Sequence, residues 1–219
     1  GLISGTFAID PRLGSVSPPG VQAGAEVEMR FSGSRLEDAQ ELLFYKKGFE
    51  VLKIEEKTAS SVRAKIKVSA DCPLGEHPVR VRTAGGITEL KTFYVGPFPV
   101  VSRVKPKDGG PPQKLPLNCS IASSVPNESQ EIFTVDAKKG QRLSAEIESM
   151  RLGRGFYDPY IEILDTKGFI LSRSDDTKLF IQDCYASAVV PEDGTYTIKV
   201  RDTSYGSVGL YRMHVGTFA

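Results

Sequence analysis

No stretch of this sequence approaches the ~20 consecutive apolar residues that a membrane-crossing helix requires. Nor does it open on a basic and apolar leader, so an export signal is expected to have been removed or to lie outside it. Neither sign of charge is in excess: 28 Lys and Arg stand against 27 Asp and Glu, a formal charge of +1. That balance argues against nucleic acid or an anionic membrane surface as the main partner. Cysteine is scarce. Cys72, Cys119 and Cys184 are too few and too far apart for a zinc cage or a CxxC redox site, and they read as buried free thiols. Histidine is scarcer still. His77 and His214 are the only two, and there is no GxSxG elbow, HExxH pair or phosphate loop to go with them. Both histidines read as structural or surface residues.

What the sequence does contain is strands. In "AEVEMRFSG", Val27, Met29 and Phe31 alternate with Glu26, Glu28 and Arg30, and in "VRAKIKVS" Val62, Ala64, Ile66 and Val68 alternate with Arg63, Lys65 and Lys67. A period of two puts apolar groups on one face and charges on the other, as half-buried antiparallel strands require. Runs of the same kind follow in both halves, among them "EIFTVDA", "PYIEILD" and "TYTIKVRD", separated by turns carrying Gly beside Asp or Lys. The one helix-like stretch is "SRLEDAQELLF", expected to give a turn of helix leading into a strand at residues 42–45. Between residues 96 and 116 six prolines and three glycines interrupt the pattern. The chain therefore reads as all-β, two β-sandwich domains, 1–97 and 98–219, with the boundary near residues 96–99.

Chemistry, if any, falls to the acids. The stretch "RGFYDPYIEILDTKGFILSRSDD" holds Asp158, Asp165, Asp175 and Asp176. Asp158 and Asp165 sit at turn positions, where an aspartate can cap its own backbone. Asp175, Asp176 and Asp183 follow a strand closely, and Asp202 ends another, so the four are candidate ligands for calcium, which favours several carboxylate oxygens in a loop. Asp175, Asp176 and Asp183 are also the carboxylates a hydrolase would use. Exposed loop aromatics give large contact area at low entropic cost, which makes Phe156, Tyr157, Tyr160, Tyr185 and Tyr205 candidate contacts for a polymer, protein or glycan.

From "IFTVDAKKGQRLSAEIESM" through "DPYIEILDTKGFILSRSDD" and "VVPEDGTYTIKVRD" to "GLYRMHVG", residues 115–216 resemble the bacterial pre-peptidase C-terminal domain. The features that carry the likeness are Phe133, Gly140, Asp158, Leu164, Asp165, Gly168, Asp175, Asp176, Gly194, Tyr196 and Tyr211. "SPPGVQAGAEVEMRFSGSRLEDAQELLF" and "CPLGEHPVRVRTAGGITELKTFYVG" in the first half resemble the IPT/TIG immunoglobulin-like fold. The resemblances imply an immunoglobulin-like sandwich followed by a jelly-roll-like one, in a secreted or envelope protein and often beside a protease domain. The pre-peptidase C-terminal family is similar to the collagen-binding modules of bacterial collagenases, some of which bind calcium. Where that family often opens on an Asp-rich run, this chain has "ESQEIF", with Glu131 the one acid placed to substitute. The expected function is a non-catalytic binding or spacer fragment of an extracytoplasmic protein that takes an extracellular protein or polysaccharide. A carboxylate-dependent hydrolase and a calcium-stabilised structural spacer are the alternatives.

Overall fold

The computed structural model describes residues 10–107, 109–153, 155, 157–178, 182–206 and 208–219. The chain divides into two compact units, Gly1–Pro97 and Phe98–Ala219. Each is built from strands, and among the described residues the only helical element is a 3-10 turn at Met150–Leu152. No helix among those residues is long and apolar enough to cross a membrane, which says nothing of β-barrels.

The first unit contains β1 (Arg12–Ser17), β2 (Gly20–Gln22), β3 (Glu26–Ser34), β4 (Ala39–Phe44), β5 (Phe49–Lys57), β6 (Ser61–Val68), β7 (Gly75–Thr83), β8 (Gly86–Ile87) and β9 (Lys91–Gly96). One sheet runs β1-β3-β6-β5 and the other β2-β9-β7-β4, with β8 paired to β7. The alternation read from sequence sets their inner faces. Met29, Phe31, Val62, Ala64, Ile66 and Val68 from the first sheet meet Leu42, Val79, Val81, Phe93 and Val95 from the second in one buried cluster. Side chains of this kind contribute about 1.5–3 kcal/mol each when fully buried, and the two layers form a β-sandwich.

The expected turn of helix before β4 is absent. Residues 37–38 form a turn closed by Ala39 N–H donating to the Leu36 carbonyl at 3.1 Å. Leu36, Ala39 and Leu42 are all buried, and a register shift between Ala39 and Glu41 explains their spacing. The bulge inserts a residue into the alternation and mimics a helical face.

The second unit contains β10 (Val100–Val101), β11 (Gln113–Leu115), β12 (Cys119–Val125), β13 (Gln130–Ala137), β14 (Arg142–Glu148), β15 (Pro159–Leu164), β16 (Ile170–Ser174), β17 (Tyr185–Val189), β18 (Gly194–Asp202) and β19 (Gly209–Gly216). Its sheets run β10-β12-β19-β14-β17 and β11-β13-β18-β15-β16. Ile121, Leu143, Ile147, Met213 and Val215 of one pack against Phe133, Val135, Ile161, Ile163, Ile198 and Val200 of the other. The three cysteines are free and buried, as their isolation in sequence suggested.

Candidate functional site

The second unit carries a compact polar network that has the parts of a catalytic triad. Ser120 on β12, His214 on β19 and Glu148 on β14 lie on neighbouring strands of one sheet, on the face turned away from the core. Ser120 Oγ and His214 Nδ1 share a hydrogen bond at 2.7 Å, and His214 Nε2 lies 3.3 Å from Glu148 Oε2. The surroundings are wrong for catalysis. Ser120 is 0% exposed, so no substrate carbonyl reaches it. The Phe98 ring lies 6.3 Å from the His214 ring and packs in turn on Phe218. Glu148 also accepts a hydrogen bond from Arg212 Nη1 at 2.9 Å. The constellation is a buried ion-pair network.

The four candidate metal ligands differ in what already engages them. Among the described residues no three His, Cys, Asp or Glu side chains converge on a point that could hold an ion. Asp183 is 0% exposed, and both its oxygens are already filled. Oδ1 accepts from the N–H groups of Ser149 and Met150 at 2.9 and 2.8 Å, and Oδ2 accepts from Arg151 Nε at 2.6 Å. Asp202 Oδ1 accepts from Ser204 N–H, Ser204 Oγ and Gly206 N–H at 3.0, 2.7 and 3.0 Å. Asp175 and Asp176 stay exposed, and Asp175 Oδ1 accepts from the N–H of Asp176. Of the three carboxylates a hydrolase would use, Asp183 is sealed by protein donors, whereas Asp175 and Asp176 remain exposed. Glu131 is likewise engaged, accepting from Arg103 at 2.9 Å and from the Tyr211 hydroxyl at 2.7 Å. The acid that does feel its neighbours is Asp158. Burial, then the charges of Asp176, Asp202 and Asp175, push its carboxyl above the usual value.

The aromatic candidates separate as well. Phe156 lies outside the described residues. Tyr157, only 2% exposed, belongs to the core and corrects the expectation that it lines a surface. Its ring rests on Gly209, where a Cβ would collide with Tyr157 Cγ. Tyr185 on β17 is half-buried, its hydroxyl bonded to Ser144 Oγ at 3.1 Å and its ring 6.2 Å from that of Phe218. It helps seat the end of the chain on the sheet.

Tyr160 and Tyr205 are different, because the fold brings them together around a residue with no distinguishing mark in the sequence. Arg201 lies opposite Tyr160 in the β15–β18 pairing. Its guanidinium carbon sits 3.8 Å from the centroid of the Tyr160 ring and 4.4 Å from that of Tyr205. Each such stack is worth about 0.5–1 kcal/mol at an exposed site. Arg201 Nη1 donates to the carbonyls of Asp202 and Thr203, both at 2.9 Å, which fixes the plane of the fork. The loop beyond is shaped by the Asp202 cap, and Tyr205 takes a left-handed backbone with φ 60°. Tyr205 is left 44% exposed. The result is a ledge at the end of β18: two tyrosines with a cation held between them. In sequence Arg201 is merely the polar half of an alternating strand.

No protein-family model matches the chain, and no curated protein matches it significantly. Solved structures similar to it include the pre-peptidase C-terminal domain of a collagenase from Bacillus anthracis, at 13% identity and TM-score 0.37 over 52% of this chain and 99% of that one. A periplasmic inhibitor of g-type lysozyme from Aeromonas hydrophila is similar at 15% identity and TM-score 0.36, over 48% of this chain and 95% of that one. A Bacteroides ovatus protein, SGBP-B of a mixed-linkage glucan utilization locus, solved with a heptasaccharide, is similar over 94% of this chain and 74% of its own, at 10% identity and TM-score 0.34. Likenesses at these scores assign neither a family nor a function to this chain.

Proposed function

We propose that this chain is a non-catalytic binding module of an extracytoplasmic protein, and that it engages an extracellular protein or glycan through the Tyr160–Arg201–Tyr205 ledge. The observation that carries the reading is the clamp itself: an exposed aromatic and a guanidinium held in fixed relation on a rigid strand end. Tyrosine and arginine in such an arrangement are the residue types that dominate binding hot spots, because they offer large contact area with few rotamers left to freeze. The buried serine–histidine–glutamate network and the sealed Asp183 argue against hydrolysis.

Retention of the whole chain on a panel of insoluble polysaccharides and fibrous proteins tests this. At least one matrix should hold the protein, and Tyr205→Ala or Arg201→Ala should weaken retention by roughly tenfold or more, the usual scale of a hot-spot loss. Equal retention of both folded variants would overturn the ledge as the site. Turnover of a peptide or glycan panel that Asp176→Ala abolishes, with the fold intact, would overturn the non-catalytic reading.

A further inference from the structure

The ledge stands at the C-terminal end of β18. At the N-terminal end of the same strand, about 20 Å away at the rise of an extended chain, a separate cleft of about 500 Å³ opens between turns. Leu117 and Ala137 give it an apolar floor, and Asp136, Lys138, Gln141, Asp193 and Thr195 stand around it. A volume of this size suits a small ligand.

The rim is braced. Gly140 N–H donates to the Val190 carbonyl and Val190 N–H to the Gln141 carbonyl, both at 2.9 Å, tying the β13–β14 turn to the segment just past β17. Gln141 Oε1 accepts from Lys138 N–H at 2.7 Å, and Asp193 Oδ1 accepts from Lys139 N–H at 2.8 Å. Each of these bonds fixes one end of a side chain and leaves the other end, Gln141 Nε2 and Asp193 Oδ2, with no protein partner among the described residues. Gln141 Nε2 and Asp193 Oδ2 therefore give the cleft a donor and an acceptor whose side chains are braced before any ligand arrives, which reduces the side-chain entropy lost on binding.

We infer that this cleft is a second binding site, independent of the ledge, for a neutral saccharide of one or two rings. A sugar hydroxyl both donates and accepts, so neighbouring hydroxyls can give a proton to Asp193 Oδ2 and receive one from Gln141 Nε2. The C–H face of the ring then covers Leu117 and Ala137. The lining carries little net charge, since Asp136 is paired with Lys114 and Asp193 is matched by Lys138, which favours a neutral ligand over an ion of either sign. A cationic side chain is the rival occupant. Asp136 is poorly placed to attract one, because its carboxylate is already bonded to Lys114 Nζ and Thr195 Oγ1.

Amide chemical shifts of the whole chain, titrated with millimolar neutral oligosaccharides of cello-, malto-, xylo- and manno-type and separately with tetralysine, test the assignment. Expected are shifts at Leu117, Ala137, Lys138, Gln141, Asp193 and Thr195 with at least one saccharide. Shifts centred on Tyr160 and Tyr205 would report the ledge instead, so the two sites are told apart by position. Asp193→Asn keeps the Oδ1 brace to Lys139 and replaces the free acceptor, and should weaken saccharide binding by roughly tenfold with spectral dispersion unchanged. The inference is overturned if no saccharide moves the cleft amides, if tetralysine alone moves them, or if Asp193→Asn binds as well as the parent.

Discussion

Burial alone would push the carboxyl of Glu148 up. The hydrogen bond to His214, the His214 charge and the charges of Arg212 and Arg151 outweigh that effect and hold it at about 2. Because this lies below the ordinary value of 4.5, the stability it contributes is fully present above that value and is lost as pH falls toward 2. The shift corresponds to about 3 kcal/mol. Urea midpoints should drop through that window, and Glu148→Gln should flatten the drop. The variant should itself be less stable by about 3 kcal/mol or more, since it strands the buried Arg212 without its carboxylate. An acid limb unchanged in the variant would contradict the assignment. Asp158 has the opposite sign. Its raised carboxyl destabilises the native state once ionised, so Asp158→Asn should raise the melting temperature of chelator-treated protein at neutral pH. That advantage should vanish below the unfolded-state value, where both forms are neutral; a lower melting temperature at neutral pH would mean that repulsion among these acids is not what the fold tolerates there. Residue roles were the least legible part of the sequence. Asp165 could be read because its partners are local: Oδ1 accepts from Lys167 and Phe169 N–H at 2.9 and 2.8 Å. Asp183 could not, because the donors that fill it lie 32 to 34 positions away.

Elements were easier to read than residues, because a strand announces its inner face locally. Val62, Ala64, Ile66 and Val68 alternate in sequence and all four are buried. Alternation fails where a bulge intervenes, which is why residues 36–42 looked helical. It also fails to tell a loop aromatic from a core one. Tyr157 precedes β15 as Tyr205 precedes β19, and only the tertiary fold decides that one ring lies buried on Gly209 and the other at the surface against Arg201. The bare backbone of Gly209 is therefore a packing requirement. Gly209→Ala places a methyl against the Tyr157 ring and should cost about 1–3 kcal/mol, the usual range for overpacking, measured by chemical denaturation. Tyr157→Phe tests the same contact from the other side. The Tyr157 hydroxyl is buried with no hydrogen-bond partner among the described residues, so removing it should leave stability unchanged or raise it. A large loss would reveal a partner for that hydroxyl in solution.

At the scale of the whole chain, each unit has a buried cluster of its own. Cores of this size suffice for domains of roughly 100 residues to fold alone. We therefore expect fragments 1–97 and 98–219, produced separately, each to give a β-type circular dichroism spectrum and a cooperative melt. The starting point of the second fragment matters. The Phe98 ring packs toward His214 and Phe218, and the Pro99 carbonyl accepts from Ser120 N–H at 2.9 Å. A fragment starting at residue 100 would uncover the outer face of β12 and β19, where the Glu148–His214–Ser120 network lies. It should melt below 98–219, by an amount corresponding to about 1–3 kcal/mol for the lost apolar cover and hydrogen bond. Its pH dependence should also change, because water reaching His214 and Glu148 screens the charges that hold Glu148 ionised. Equal stability of the two fragments would mean that Phe98 and Pro99 do not protect the network, whereas failure of either unit to fold alone would show that the two cores depend on each other.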